Sequence, residues 1–392
     1  MTAQNPGLGF DIDDERLARV AWSRLIEPGD EKATTLIERV GPGEALRAVA
    51  ERDVEWLQRF VPRLASLDPR RDLDGVLRLG GRVVLPSDDE WPAGFAALAS
   101  PPPCLWVLGP AVLADVTVRS VAMVGARAAT AYGEHVAGDL SCGLGERGFA
   151  VISGLAYGID GAAHRGALAC GAVSIGVVAG GLDRAYPAGH DRLMARLADE
   201  GAVVSEVPPG SAPTRGRFLQ RNRLIAALAT GTVVVEAALR SGSLNTARTA
   251  ALLGRPVGAV PGPVTSASSA GCHALLRDGV ATLVTDADEI ADLVGRMGTD
   301  AATPPRSRRG PRDDLDPQVA RVLDALPVRS GRPIDRVCAT AGLEPATVQS
   351  ALGQLALLGL AERDGAGWRV VRARTSAEPH QVQAQRAVRA ME

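Results

Sequence analysis

Val121-Ala122-Met123-Val124-Gly125-Ala126-Arg127 is an apolar run of four residues that breaks abruptly into glycine and arginine. A short apolar run closed by a turn residue suits a strand buried on both faces. Runs of the same kind recur at Ala150 to Ile152, Val173 to Val178, Ala202 to Val204, Thr232 to Val235 and Val257 to Val260. Helix-like stretches separate them, so the spacing predicts an α/β domain with a mainly parallel, Rossmann-like sheet covered on both faces. In such a sheet ligands sit beyond the carboxyl ends of the strands. The candidate positions are therefore Gly125 to Arg127, Ser153-Gly154, Gly180-Gly181, Ser205-Glu206, Glu236 to Ser243 and Pro261-Gly262.

Outward from this core the pattern changes. From Asp13 to about Leu67 apolar residues recur at helical spacing, and Pro28-Gly29 and Gly41-Pro42-Gly43 cut the run into short helices. This predicts a helical domain over 1–70 of the kind found in sterile-alpha-motif and helix-hairpin-helix modules, with packing or docking as its role. Between Val83 and Gly109 an extended segment leads into the sheet, and the sheet domain runs over 71–297. Residues 298–316 are rich in Pro, Arg, Asp and Thr and read as a linker. Three helical stretches, Val319 to Leu326, Ile334 to Ala341 and Pro345 to Leu360, precede a hairpin around Asp364-Gly365. These predict a winged-helix domain over 317–374, followed by a disordered tail over 375–392.

The chain has 392 residues, 46% of them apolar, and a net charge of −2, so a nucleic-acid site must be a local concentration of base. Lys32 is the sole lysine, and coding bias accounts for that composition. The five cysteines, Cys104, Cys142, Cys170, Cys272 and Cys338, are odd in number and scattered. No zinc spacing and no disulfide framework is expected, which fits a reducing cytoplasm. Acids at Asp11, Asp13, Asp14 and Glu15 stand where a signal peptide needs base, and no run of about 18 apolar residues follows. Neither export nor membrane insertion is expected.

Four segments can carry chemistry. Gly125 and Arg127 end a strand before a helix, which exposes backbone N–H groups to an anion; a tight packing turn is the competing reading. Ser153-Gly154 opens a stretch in which Asp160 and His164 lie four apart on one helix face. No nucleophile completes a triad there, and a structural role is favoured. From Glu206 to Glu236 there is no acid, while Arg215, Arg217, Arg221 and Arg223 surround one aromatic ring, Phe218. Cations along a backbone with a ring for a base are what single-strand binding needs. One of these arginines could instead face inward and order the loop. Lastly, Ser241-Gly242-Ser243 forms a hydroxyl-rich loop before a helix, with Ser243 as its cap, and makes a ready anion site.

Taken in order, these segments resemble the DNA-processing protein A family, also called DprA or Smf. The resemblance covers roughly Trp91 to Val280 and rests on Ser153 to His164, Gly180-Gly181-Leu182-Asp183 with Tyr186-Pro187, Arg221-Asn222-Arg223, and Ser241-Gly242-Ser243-Leu244 leading to Val260-Pro261-Gly262. It implies an extended Rossmann fold, homodimerisation, protection of incoming single-stranded DNA and loading of RecA recombinase onto it during natural transformation. It further implies that Arg127 lines a phosphate pocket with Gly125, and that Phe218 stacks on a base after a basic residue, Arg215 or Arg217. Asn222 shares the site, and Leu275 and Leu276 lie near the dimer contact. The departures are Ala126 where a serine is usual, Leu219 where a proline is usual, and His190 and His273 where asparagine is common.

The main alternative is a nucleotide phosphoribohydrolase-like, or lysine-decarboxylase-like, Rossmann enzyme. Such an enzyme needs a Pro-Gly-Gly-Xaa-Gly-Thr loop with a glutamate close behind, and Ser241-Gly242-Ser243 lacks that glutamate. The expectation is a DNA-binding protein, not an enzyme, without cofactor or metal. The helix from Pro345 carries no arginine or lysine, which speaks for protein docking over reading of a duplex groove.

Overall fold

The computed structural model describes residues 8–52, 54–302, 312, 315–365 and 367–371. It divides into two compact units, Met1–Thr303 and Pro304–Glu392. Eleven of the 19 residues of the expected linker and the whole expected tail lie outside the described residues.

The first unit is built on a nine-stranded sheet. In chain order its strands are β1 (Arg82–Val84), β2 (Leu105–Leu108), β3 (Ser120–Val124), β4 (Ala150–Ser153), β5 (Ser174–Val178), β6 (Ala202–Ser205), β7 (Gly231–Val234), β8 (Val257–Ala259) and β9 (Thr282–Leu283). They lie side by side as β1-β2-β6-β5-β4-β3-β7-β8-β9. From β6 to β9 all neighbours are parallel, and β2 joins β6 antiparallel, as β1 joins β2. The six strands expected from apolar runs stand within one residue of their predicted ends. β9 is two exposed residues at the sheet edge, too short and too polar in setting to leave a pattern.

Burial explains the apolar runs. Every residue of β3 to β8 is buried, because helices cover both faces. On one face helices Arg215–Leu228 and Ser243–Leu252 pack through Leu224, Ile225, Leu228, Leu244 and Ala247. On the other, helices Ala131–Glu146 and Ile159–Ala169 pack through Ala137, Leu140, Leu144, Ile159 and Ala163. Thr130 and Thr214 start two of these helices by accepting from Gly133 N at 3.1 Å and Arg217 N at 3.2 Å, satisfying N–H groups a helix start leaves open.

One expectation is corrected here. Cys142 and Cys170, at neighbouring ends of helices Ala131–Glu146 and Ile159–Ala169, are joined by a disulfide with a Cα separation of 5.4 Å. A separation of 28 residues hides such a pair, because only the packing of the two helices brings the ends together. Leu275 is buried against the sheet within its own chain, and Leu276 is half-buried on the same cluster.

The N-terminal helices Glu15–Leu25, Glu31–Val40 and Pro42–Glu51 gather around Trp22, which meets Phe60 edge to face at 5.8 Å. They belong to the same compact unit as the sheet. Arg24 pairs with Asp72 at 2.5 Å and donates to the Pro209 carbonyl at 2.9 Å, and Glu27 pairs with Arg217 at 2.8 Å.

The second unit has helices Pro317–Ala325, Ile334–Ala341 and Pro345–Leu357 and a hairpin pairing Ala361–Asp364 with Gly367–Val370. Val322, Val337, Val348, Leu352 and Leu355 form its core, as a winged helix requires. No helix among the described residues is long and apolar enough to cross a membrane.

Candidate nucleic-acid interface

Strand order reverses between β3 and β7, where one crossover leads to β4 and the other to β8. Such a switch point opens a crevice at the carboxyl edge of a parallel sheet. A cavity of about 400 Å³ occupies this place, lined by Gly125, Arg127, Asp160, Phe218, Asn222 and Ser241 among others.

The loop after β3 is held from below. Glu236, buried at the end of β7, accepts from Thr130 N at 2.9 Å and Thr130 Oγ1 at 2.6 Å, and its carbonyl accepts from Ala126 N at 2.7 Å. Gly158 adopts φ +73°, and a Cβ there would run into the Ala126 carbonyl. Only glycine lets the loop after β4 lie so close on the loop after β3. Arg127 projects from this base into solvent, and its guanidinium carbon lies 4.8 Å from the centroid of Phe218.

Phe218 sits one turn into helix Arg215–Leu228, half-buried, and its ring meets Tyr186 at 5.3 Å. Across the cavity Ser241 Oγ and Ser243 Oγ lie 2.7 Å apart, and Asn222 Nδ2 donates to the Gly242 carbonyl at 3.3 Å. The helix begins at Ser243 itself, with Gly242 in the cap position and Ser241 Oγ accepting from Ser243 N at 3.4 Å. Ser243 is therefore not the cap; its hydroxyl is bound to that of Ser241.

The four arginines of the acid-free segment have separate fates. Arg215 is exposed on the first helical turn, and among the described residues its side chain has no hydrogen-bond or ion-pair partner. Arg217 is engaged with Glu27 and donates to the Ala212 carbonyl at 3.0 Å. Its hydrogen bond also pulls the Glu27 carboxyl below the usual range. Arg221 is buried and donates to the carbonyls of Gly154, at 2.7 Å, and Val177. Burial lowers its pKa to about 10, which still leaves it charged at neutral pH. Arg223 is ion-paired with buried Glu206 and does not line the cavity. A guanidinium taken out of water needs internal acceptors, and Arg221 and Arg223 have found them in part, although Arg221 Nε, Arg223 Nε and Arg223 Nη1 are buried without a partner among the described residues.

Ser153 also points inward. It is buried and donates to the Met123 carbonyl at 2.6 Å, and Gly154 is packed against the Arg221 guanidinium. Asp160 accepts from Gly154 N at 3.1 Å and Ala156 N at 3.4 Å, and burial raises its pKa. His164 bonds instead to Ser174 Oγ at 2.8 Å, so the two residues are no acid and base pair. Two residues of the site escaped sequence reading as binders. Arg240 lines the cavity and is exposed, and Tyr186 touches Phe218. Arg240 lies inside the Glu236 to Ser243 stretch that the strand-end rule marks, but it is not singled out there as a binder.

The cavity thus groups Arg127, Arg240, Phe218, Asn222 and the Ser241 to Ser243 loop with buried Arg221, and Arg215 stands three residues before Phe218 on the same helix, while Arg217, Arg223 and Ser153 are bonded elsewhere. Comparison with known proteins agrees with this architecture. Residues 82–295 match the family described as DNA recombination-mediator protein A, and residues 304–367 match the DprA winged helix domain. A Mycobacterium tuberculosis protein bearing the DprA name is 49% identical over 376 residues, which are 92% of this chain and 96% of that protein. The DNA processing protein DprA of Streptococcus pneumoniae is 38% identical over 206 residues, 53% of this chain and 72% of the relative. The X-ray structure of DNA processing protein A from Streptococcus pneumoniae superposes with a TM-score of 0.62 at 30% identity, covering 72% of this chain and 98% of that one. With that family's model matching more than half of its length, the chain belongs to the DNA recombination-mediator protein A family.

Proposed function

We propose that this protein binds single-stranded DNA at the switch-point cavity and acts by binding, not by catalysis. The observation that carries this reading is the stack of the Arg127 guanidinium on Phe218 in the cavity that exposed Arg240 also lines, with exposed Arg215 three residues before Phe218 on its helix. A stacking ring with unpaired cations along one rim meets the needs of an unpaired strand, whose bases are open and whose phosphates are continuous. A phosphoribohydrolase would need a free carboxylate at the end of β7. Glu236 there is committed to Thr130 and supports the loop that carries Arg127.

The family description as a recombination mediator supports the finer reading. The protein covers incoming single strands in the cytoplasm during natural transformation, works as a homodimer, and hands the strand to RecA recombinase. A gel shift with single-stranded and duplex oligonucleotides, RecA being added afterward, tests it. Salt-sensitive retention of the single strand, with RecA filaments forming faster on the coated strand, is expected. Equal retention of duplex would sink the single-strand reading, and unchanged filament growth would sink the loading role.

A further inference from the structure

The chain has three tyrosines, Tyr132, Tyr157 and Tyr186, and all three follow sheet strands at the carboxyl edge. They are 47%, 51% and 51% exposed, whereas Trp22, Trp106, Phe95 and Phe149 are fully buried. Exposed rings in a protein so poor in aromatics are costly to solubility unless they meet something. Tyr132 is occupied, its hydroxyl donating to the Pro261 carbonyl at 3.0 Å.

Tyr186 and Tyr157 bracket one loop, residues 186–190. Tyr186 begins it, against Phe218. Tyr157 leans on its far end, 4.8 Å from the His190 ring and close over Gly189. His190 is itself anchored to the Leu155 carbonyl at 3.0 Å, so the platform under Tyr157 is fixed. Arg184 precedes the loop and Arg165 lies beside His190 over Gly161. Both are exposed and have no ion-pair partner among the described residues. Of the nearby acids, Asp183 is already accepting from Gly210 N at 2.6 Å, and Asp191, exposed, follows the loop at the start of the next helix.

We propose that Tyr186 and Tyr157 continue the stacking surface begun by Phe218, so that the single strand leaves the cavity across the 186–190 loop. Its bases lie on the two tyrosines and its phosphates pass Arg184 and Arg165. This rests on the single-strand reading above and gives the strand a direction across the carboxyl edge, away from the Ser241 to Ser243 loop.

The test compares oligo-dT of about six and about twenty nucleotides, a range that spans one binding site and its extension. Tyr157→Leu should weaken the long oligonucleotide about five- to hundredfold, the usual effect of losing one stacked base, and leave the short one unchanged. Tyr157→Phe should restore the long-strand affinity. In the unaltered protein, photocrosslinking of long oligonucleotides carrying 5-iododeoxyuridine should label the peptide containing Tyr157. Equal affinity of Tyr157→Leu for the long strand, or crosslinks confined to peptides around Arg127 and Phe218, would overturn the proposal while leaving the cavity reading intact. If Tyr157→Leu alters the dimer mass and not the DNA affinity, the rings serve a protein contact and the proposal fails. If neither oligonucleotide binds the unaltered protein, the single-strand reading falls and takes the extension with it.

Discussion

The Arg127 guanidinium lies over the ring of Phe218 at 4.8 Å, although the two residues are 91 positions apart and come from the loop after β3 and the helix after β6. A cation over an exposed ring is worth about 0.5–1 kcal/mol, so each residue holds the other in place before any ligand arrives. That prior order lowers the entropic cost of binding a flexible strand.

Arg127→Ala should reduce the dependence of log K on log salt by about 0.7, the value of one phosphate contact on a single strand. Phe218→Ala should cost about 1–3 kcal/mol of affinity and leave the salt slope unchanged. Because the two side chains touch, the double variant should lose less than the sum of the single losses. Titration of fluorescent oligo-dT across a salt series measures all three. Unchanged affinity of a folded double variant would remove these residues from the site.

Arg221 is bound to the site through structure and not through a ligand. Its guanidinium holds the Gly154 and Val177 carbonyls and faces Asp160, whose carboxylate it helps keep charged. Removing one member of a buried charged pair leaves the other uncompensated, at a cost of about 3–5 kcal/mol. Arg221→Leu should therefore lower the unfolding free energy in urea sharply, where Arg215→Leu on the same helix should leave it within about 0.5 kcal/mol of its original value. Equal stability of the two variants would contradict the internal role.

The contrast among these arginines marks the limit of what the residues alone disclose. The strands were legible because each is an unbroken apolar run that the helices bury on both sides. Phe218 was legible because it is one ring in a long stretch without an acid. The destinations of Arg217, Arg221 and Arg223 were not, because each depends on an acceptor that folding supplies: Glu27 from the N-terminal helices, the Gly154 carbonyl after β4, and Glu206 after β6. Ser153 misled for a related reason. It is the last, buried residue of β4, and its hydroxyl is spent on the Met123 carbonyl.

Acid stability should carry the signature of His164. Ser174 Oγ donates to the Val151 carbonyl at 3.1 Å, so His164 Nδ1 supplies the proton of the bond between them, and Nε2 is buried without a partner among the described residues. Burial pushes its pKa down to about 3, against 6.5 for the free side chain. Between those values the unfolded chain binds a proton that the folded chain refuses, so stability falls as pH falls through that window. The slope from this group approaches about 1.4 kcal/mol per pH unit. Asp160 and Glu206, raised by burial, work in the opposite sense below neutral pH. His164→Asn keeps a donor toward Ser174 and removes the titration, so its unfolding free energy between pH 6 and 4 should decline less steeply than that of the unaltered protein. Parallel curves in urea titrations at each pH would show that His164 does not set the acid limb.

Glu236 separates the binding reading from the enzymatic one. Its carboxylate accepts from both the backbone and the hydroxyl of Thr130, and it lies against Gly133 at the start of helix Ala131–Glu146. Replacing one carboxylate oxygen by an amide puts a donor where an acceptor is needed, at a cost of about 1–3 kcal/mol. Glu236→Gln should therefore loosen the loop from Gly125 to Thr130, lower thermal stability, and weaken oligo-dT binding through misplacement of Arg127. Neither the variant nor the unaltered protein should release base from nucleoside monophosphates. Base release by the unaltered protein, abolished in Glu236→Gln at full thermal stability, would make Glu236 a catalytic acid and reverse the functional assignment.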